Sequence, residues 1–100
     1  ADKPAAACLA SRIPHGTRLT RERLRRVEMA ERSLGRLGFS GHRVRLHGDL
    51  ARIELLSADF HRALEPTWRG RLVTAVKRAG FKFVALDLEG YRQGSLNRTA

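Results

Sequence analysis

The stretch Arg43-Val44-Arg45-Leu46-His47-Gly48-Asp49-Leu50-Ala51-Arg52-Ile53-Glu54-Leu55 constrains this chain more than any other. It holds two alternating runs joined by Gly48-Asp49, the two-residue link of a tight β-hairpin, with a glycine available where φ must be positive. If those two residues form the turn, the register follows: His47 faces Leu50, Leu46 faces Ala51, Arg45 faces Arg52, Val44 faces Ile53 and Arg43 faces Glu54. Val44, Leu46, Ala51, Ile53 and Leu55 then share a face suited to a core. Arg43, Arg45, Arg52 and Glu54 share the other. Arg45 opposite Arg52 is unfavourable unless negative charge lies between or above them. One side of the hairpin is therefore a core element, and the other a seat for an anion.

The flanking sequence supplies what would cover that core face. Thr20 is placed to cap a helix, with Glu22 in its first turn. Leu24, Val27, Ala30, Leu34 and Leu37 recur at helical spacing, and Gly38 is suited to the stop. Glu31 falls inside this apolar stripe, where a carboxylate must be paired or bound to a cation. Pairing with a nearby arginine and a role in a site both satisfy that need. After the hairpin, Ser57 is expected to cap a short helix. Pro66 opens a second helix that runs to about Arg78, with Trp68, Leu72, Val73 and Val76 inward and Gly80 as its stop. Phe81 to Leu88 reads as a mostly apolar and hence central strand. The pattern helix–Gly–Phe–strand occurs twice, at Gly38-Phe39 and at Gly80-Phe81. The order α-β-β-α-β predicts an α+β two-layer domain, a small sheet with helices packed on it.

One hundred residues make one small domain, without room for a large cleft. No apolar run reaches the length of a membrane span. The chain starts Ala-Asp-Lys-Pro and is expected to be a piece of a longer protein. Its net charge of +10 raises nucleic acid as a partner. The arginines are scattered along the chain, however, and the few aromatics fall mostly at core positions, so nucleic acid is not the expected partner. Cys8 is the sole cysteine, which excludes an internal disulfide and a thiolate zinc site and points to a cytoplasmic setting. Small residues surround it in a Pro- and Gly-punctuated segment, read as a structured loop with a short strand near Cys8 to Ile13. It suits either a small buried hydrophobe or an accessible thiol. The closing run from Asp87 to Asn97, rich in Gly and polar groups, is either a functional loop or a surface connection.

Three blocks, Ala7-Cys8-Leu9-Ala10-Ser11-Arg12-Ile13-Pro14-His15-Gly16-Thr17, the hairpin from Arg43 to Glu54, and Leu86-Asp87-Leu88-Glu89-Gly90-Tyr91-Arg92-Gln93-Gly94-Ser95-Leu96-Asn97, resemble in this order the C-terminal half of the ATP-dependent sacrificial sulfur transferases. Those enzymes act in biosynthesis of the nickel-pincer nucleotide and belong to the ATP-pyrophosphatase (PP-loop) superfamily. The resemblance implies that residues 1–100 are the sulfur-donor and substrate-binding domain. An N-terminal ATP-pyrophosphatase domain, whose Ser-Gly-Gly-x-Asp-Ser loop does not occur here, would bind ATP and Mg²⁺ and adenylate a carboxylate of a pyridinium dicarboxylate mononucleotide.

By the same resemblance Cys8 is the nucleophile that forms a thioester and then loses its sulfur. A thiolate is required, and Arg12 with the hairpin arginines would favour it. Arg43 and Arg45 match the substrate-phosphate residues, to which a planar guanidinium is suited, and Ser11 and Arg12 match an adjacent Ser-Arg pair. Glu31 and Glu54 match acidic positions associated with a divalent metal, for which Mg²⁺ or Mn²⁺ fits oxygen ligands. With Cys8 alone the resemblance favours the single-turnover route over one that uses an iron–sulfur cluster, and it implies a homo-oligomer. Two other readings fit the composition: a basic RNA-binding accessory domain of a tRNA-thiolating PP-loop enzyme, and an oligomerisation domain only.

Overall fold

The computed structural model describes residues 11–91. Helix α1 spans Arg21–Arg36, and Thr20 caps it as expected, its Oγ1 accepting the Arg23 amide at 3.1 Å. Val27, Ala30 and Leu34 are buried, with Leu24 and Leu37 packed against them. The helix ends in a Schellman motif: the Phe39 amide bonds the Leu34 carbonyl, the Gly38 amide bonds that of Gly35, and Gly38 takes the left-handed φ of +96° that this ending requires. Phe39 then drops into the core.

Strands β1 (His42–His47) and β2 (Leu50–Leu55) form the hairpin in the register read from the sequence, from His42 opposite Leu55 to His47 opposite Leu50. Gly48 turns with φ of +59°. Val44, Leu46, Ala51, Ile53 and Leu55 are all buried. A 3₁₀ turn (Ser57–Asp59) leads into the short helix α2 (Phe60–Leu64), followed by α3 (Pro66–Arg78). Ser57 does not cap. It lies inside the turn, Leu56 precedes it, and no side chain closes that end. Pro66 does open α3, and Glu65 supplies the cap, accepting the Trp68 amide at 3.1 Å. Arg62 donates to the Leu37 carbonyl at the end of α1 and lies over the rings of Phe39 and Trp68, tying the helices together.

Strand β3 (Phe83–Leu86) pairs with β2 in parallel, completing a mixed sheet of order β1-β2-β3 among the described residues. Two expectations need correction here. The strand is shorter than Phe81 to Leu88, and it lies at the edge, not the centre. Its apolar residues do not mark burial on both faces: Val84 and Leu86 pack on the core, whereas Phe83 is 61% exposed. Phe81 is buried, but as the residue after Gly80 (φ of +113°), so the second helix–Gly–Phe junction repeats the first.

The opposite edge of the sheet, along β1, is closed by side chain and loop. The Leu46 amide donates to the Arg12 carbonyl at 2.8 Å, and the Val44 amide donates to Glu31 Oε2 at 2.9 Å. These are the outward-facing amides of an edge strand, which would otherwise be open to pairing. The expected short strand near Ile13 is absent among the described residues: 11 and 12 are in a turn. The rest of that expectation, from Cys8 to Ala10, lies outside the described residues, as does the loop beyond Tyr91.

Candidate functional site: the arginine face of the sheet

The helices cover one face of the sheet. Strand alternation puts Arg43, Arg45 and His47 of β1, Arg52 and Glu54 of β2, and Asp87 just beyond β3 on the other. The two arginines set against each other, Arg45 and Arg52, are reconciled by Glu54, whose side chain is only 3% exposed. Arg45 Nε lies 3.2 Å from Glu54 Oε2, and Arg52 Nη1 lies 3.1 Å from the same oxygen. Arg52 also binds Asp87 Oδ2, and Arg45 Nη1 donates to the Ser11 carbonyl at 3.1 Å. The negative charge that the register demanded is thus built into the chain.

A second carboxylate extends the network. Arg12 Nε pairs with Glu31 Oε2 at 3.0 Å, while Arg12 Nη1 donates to Ser11 Oγ at 3.0 Å. Glu31 therefore sits in the helical stripe because it answers a partly buried guanidinium and the Val44 amide together. Ser11, Arg12, Glu31, Arg45 and Glu54, singled out in the sequence for separate tasks, form one continuous chain of contacts that runs on through Arg52 to Asp87. Each carboxylate is held by arginine. Among the described residues no group of three or more His, Cys, Asp or Glu gathers to hold a metal ion. A divalent ion at Glu31 or Glu54 would share the carboxylate with Arg12, or with Arg45 and Arg52.

Arg43 stands apart. Among the described residues it has no ion pair. Its Nη2 donates to Tyr91 Oη at 3.2 Å, its guanidinium carbon lies 5.1 Å from the centre of the Tyr91 ring, and its Nε is buried without a hydrogen-bond partner. His47, at the turn end of the face, lies with Nε2 3.3 Å from Arg52 Nε. Partial burial, then the charges of Arg52 and Arg45, hold its pKa below the usual imidazole value. Cys8 lies outside the described residues.

Sequence reasoning left Arg52 unassigned and passed over Asp87 and Tyr91 as individual residues. A signal for Asp87 existed: in a strand parallel to β2, alternation from Ala85, the partner of Arg52, puts Asp87 on the same face. Tyr91 had none, because its position depends on a turn after the strand.

No family model matches the chain. It is 47% identical over 97 residues, 97% of its length, to an uncharacterized protein of Synechocystis sp., covering 36% of that protein. It is also similar to the pyridinium-3,5-bisthiocarboxylic acid mononucleotide synthase of Lactiplantibacillus plantarum. There the identity is 41% over 98 residues, 98% of this chain and 35% of the synthase. The chain spans about a third of the length of these curated relatives. The second similarity supports the nickel-pincer nucleotide part of that resemblance. Among the described residues no helix is long and apolar enough to cross a membrane.

Proposed function

We propose that this chain is the C-terminal, sulfur-donating part of a transferase that thiolates a pyridinium dicarboxylate mononucleotide on the way to the nickel-pincer nucleotide. The 41% identity to the bisthiocarboxylic acid mononucleotide synthase, spread over nearly the whole chain, carries this reading. In it, an N-terminal ATP-pyrophosphatase portion of the same protein binds ATP and Mg²⁺ and adenylates a substrate carboxylate. The Cys8 thiolate attacks the acyl-adenylate, AMP leaves with the bonding pair, and a thioester forms. Loss of the Cys8 α-proton and cleavage of its Cβ–S bond then leave sulfur on the substrate as a thiocarboxylate and dehydroalanine in the chain.

The arginine face supports a division of labour. Arg43, which has no ion pair among the described residues, is the residue suited to the substrate phosphate. Arg45 contributes positive charge while anchored to Glu54, and Arg12 and Ser11, bonded to each other, carry the network on to Glu31. Intact-mass measurement of the two-domain protein after reaction with ATP and substrate tests the proposal. Cys8 is expected to lose the mass of one H₂S, with Cys8→Ser unreactive. An unchanged mass despite turnover would assign the sulfur to another source. The RNA-binding alternative predicts a steep salt dependence drawn from the helical arginines, such as Arg69, Arg71 and Arg78, and indifference to Arg43→Gln.

A further inference from the structure

The segment after β3 is fastened to the arginine face at two points. At the first, Asp87 binds Arg52 through Oδ2, while its Oδ1 accepts the Glu89 amide at 2.9 Å and its carbonyl accepts the Gly90 amide at 3.0 Å. At the second, the Tyr91 amide donates to the Leu55 carbonyl at 2.7 Å, which continues the line of β3 and brings the Tyr91 ring under Arg43. Gly90 joins the two points. Its φ is +81°, and a Cβ there would meet the Leu55 carbonyl oxygen at 3.0 Å, so the turn can pass over the end of β2 only with glycine at this position.

We propose that Tyr91 is a positioning residue for anion binding: through its ring and hydroxyl it holds Arg43 as the un-neutralised cation of this face, ready for a phosphate monoester. This rests on the phosphate seat proposed above and adds to it a residue outside the resemblance's ligand set. Three observations bear on it. The other arginines of the network, Arg12, Arg45 and Arg52, are each ion-paired, so their geometry is fixed by carboxylates. Arg43 is fixed by a phenol and an aromatic face, which orient a guanidinium without cancelling its charge. Its Nε is buried and has no hydrogen-bond partner among the described residues, an arrangement that costs free energy and that an incoming acceptor, after a small side-chain adjustment, would relieve. Tyr91 could be replaced by Asp or Glu at the same spot only by turning the seat into another internal ion pair, like that of Arg45 with Glu54.

The test uses the two-domain protein, with inorganic phosphate and nicotinamide mononucleotide as probes, followed by calorimetry and by the ¹H–¹⁵N resonance of Arg43 Nε. The wild type is expected to bind both probes and to shift that resonance. Tyr91→Phe, which keeps the ring and loses the hydroxyl, should weaken binding by roughly threefold. Tyr91→Leu should weaken it by about tenfold, since the ring contact goes as well. Arg43→Gln should lose it by more than about tenfold. Gly90→Ala should behave like Tyr91→Leu although residue 91 is intact, because the turn no longer delivers the ring. Circular dichroism and the urea midpoint must show each variant folded. Wild-type binding that Arg43→Gln weakens but neither Tyr91 variant changes would overturn the positioning role and leave the phosphate seat standing. Absence of any binding by the wild type would overturn both.

Discussion

Arg43 and Arg45 stand about 7 Å apart along one strand and on one face, yet the fold treats them in opposite ways. Arg45 closes on a buried carboxylate and is 17% exposed. Arg43 closes on the ring and hydroxyl of a tyrosine and keeps its charge. The first end of the face is a structural ion cluster in which Glu54 and Asp87 offset Arg45 and Arg52. The second is a cation held in place with no ion pair among the described residues. Two residues that look equivalent in the sequence thus divide into an anchor and a candidate ligand, and the division is set by what the neighbouring elements bring to each.

Variants should break this comparison unequally. The largest effect is expected from Glu54→Gln, which leaves two partly buried arginines without their shared carboxylate. Loss of one member of a buried pair costs about 3 kcal/mol or more, read as a lower urea midpoint at unchanged slope. Replacing Arg45 and Glu54 together by Met should recover most of that loss, because no uncompensated charge remains. Glu31→Gln comes next. It preserves an acceptor for the Val44 amide but removes the charge that pairs with Arg12. A loss of about 1–2 kcal/mol is expected, with faster hydrogen exchange at Val44 and Leu46 as the β1 edge loosens. Arg43→Gln should cost about 1 kcal/mol or less, since a hydrogen bond and a ring contact to Tyr91 go but no ion pair is lost, while removing phosphate binding. A large drop in its midpoint would make Arg43 an anchor like Arg45 and erase the distinction.

The smallest effect concerns pH. The His47 pKa is lowered in the folded protein, so the unfolded chain takes up its proton first as pH falls. Stability from this group is complete above the ordinary imidazole pKa and declines as pH drops through it toward the folded value. His47→Asn should flatten that slight slope in thermal midpoints between neutral and mildly acidic pH. A slope that persists would place its origin at another group.

The hairpin register, the core stripe of α1, both Gly–Phe helix stops and the order of elements were legible in the sequence, because each rests on local periodicity or on a backbone angle that only one residue type takes up easily. Glu31 and the set of Arg43, Arg45, Arg52 and Glu54 were legible as anomalies, a charge in an apolar stripe and like charges face to face. What resolved them was not. Arg12 reaches Glu31 across 19 positions of sequence, and Asp87 reaches Arg52 across 35. No spacing rule spans such distances.

By itself, then, the sequence determined which residues lie on the core side of the sheet and which on the charged side, since alternation along a strand is a property of the backbone. It also determined that the charged side needed an anion. Only the tertiary structure decided where that anion comes from. The parallel addition of β3 beside β2 carries Asp87 to Arg52 and, through Gly90, sets Tyr91 against Arg43. Arg45 and Arg52 are therefore satisfied from within, and Arg43 makes no ion pair among the described residues.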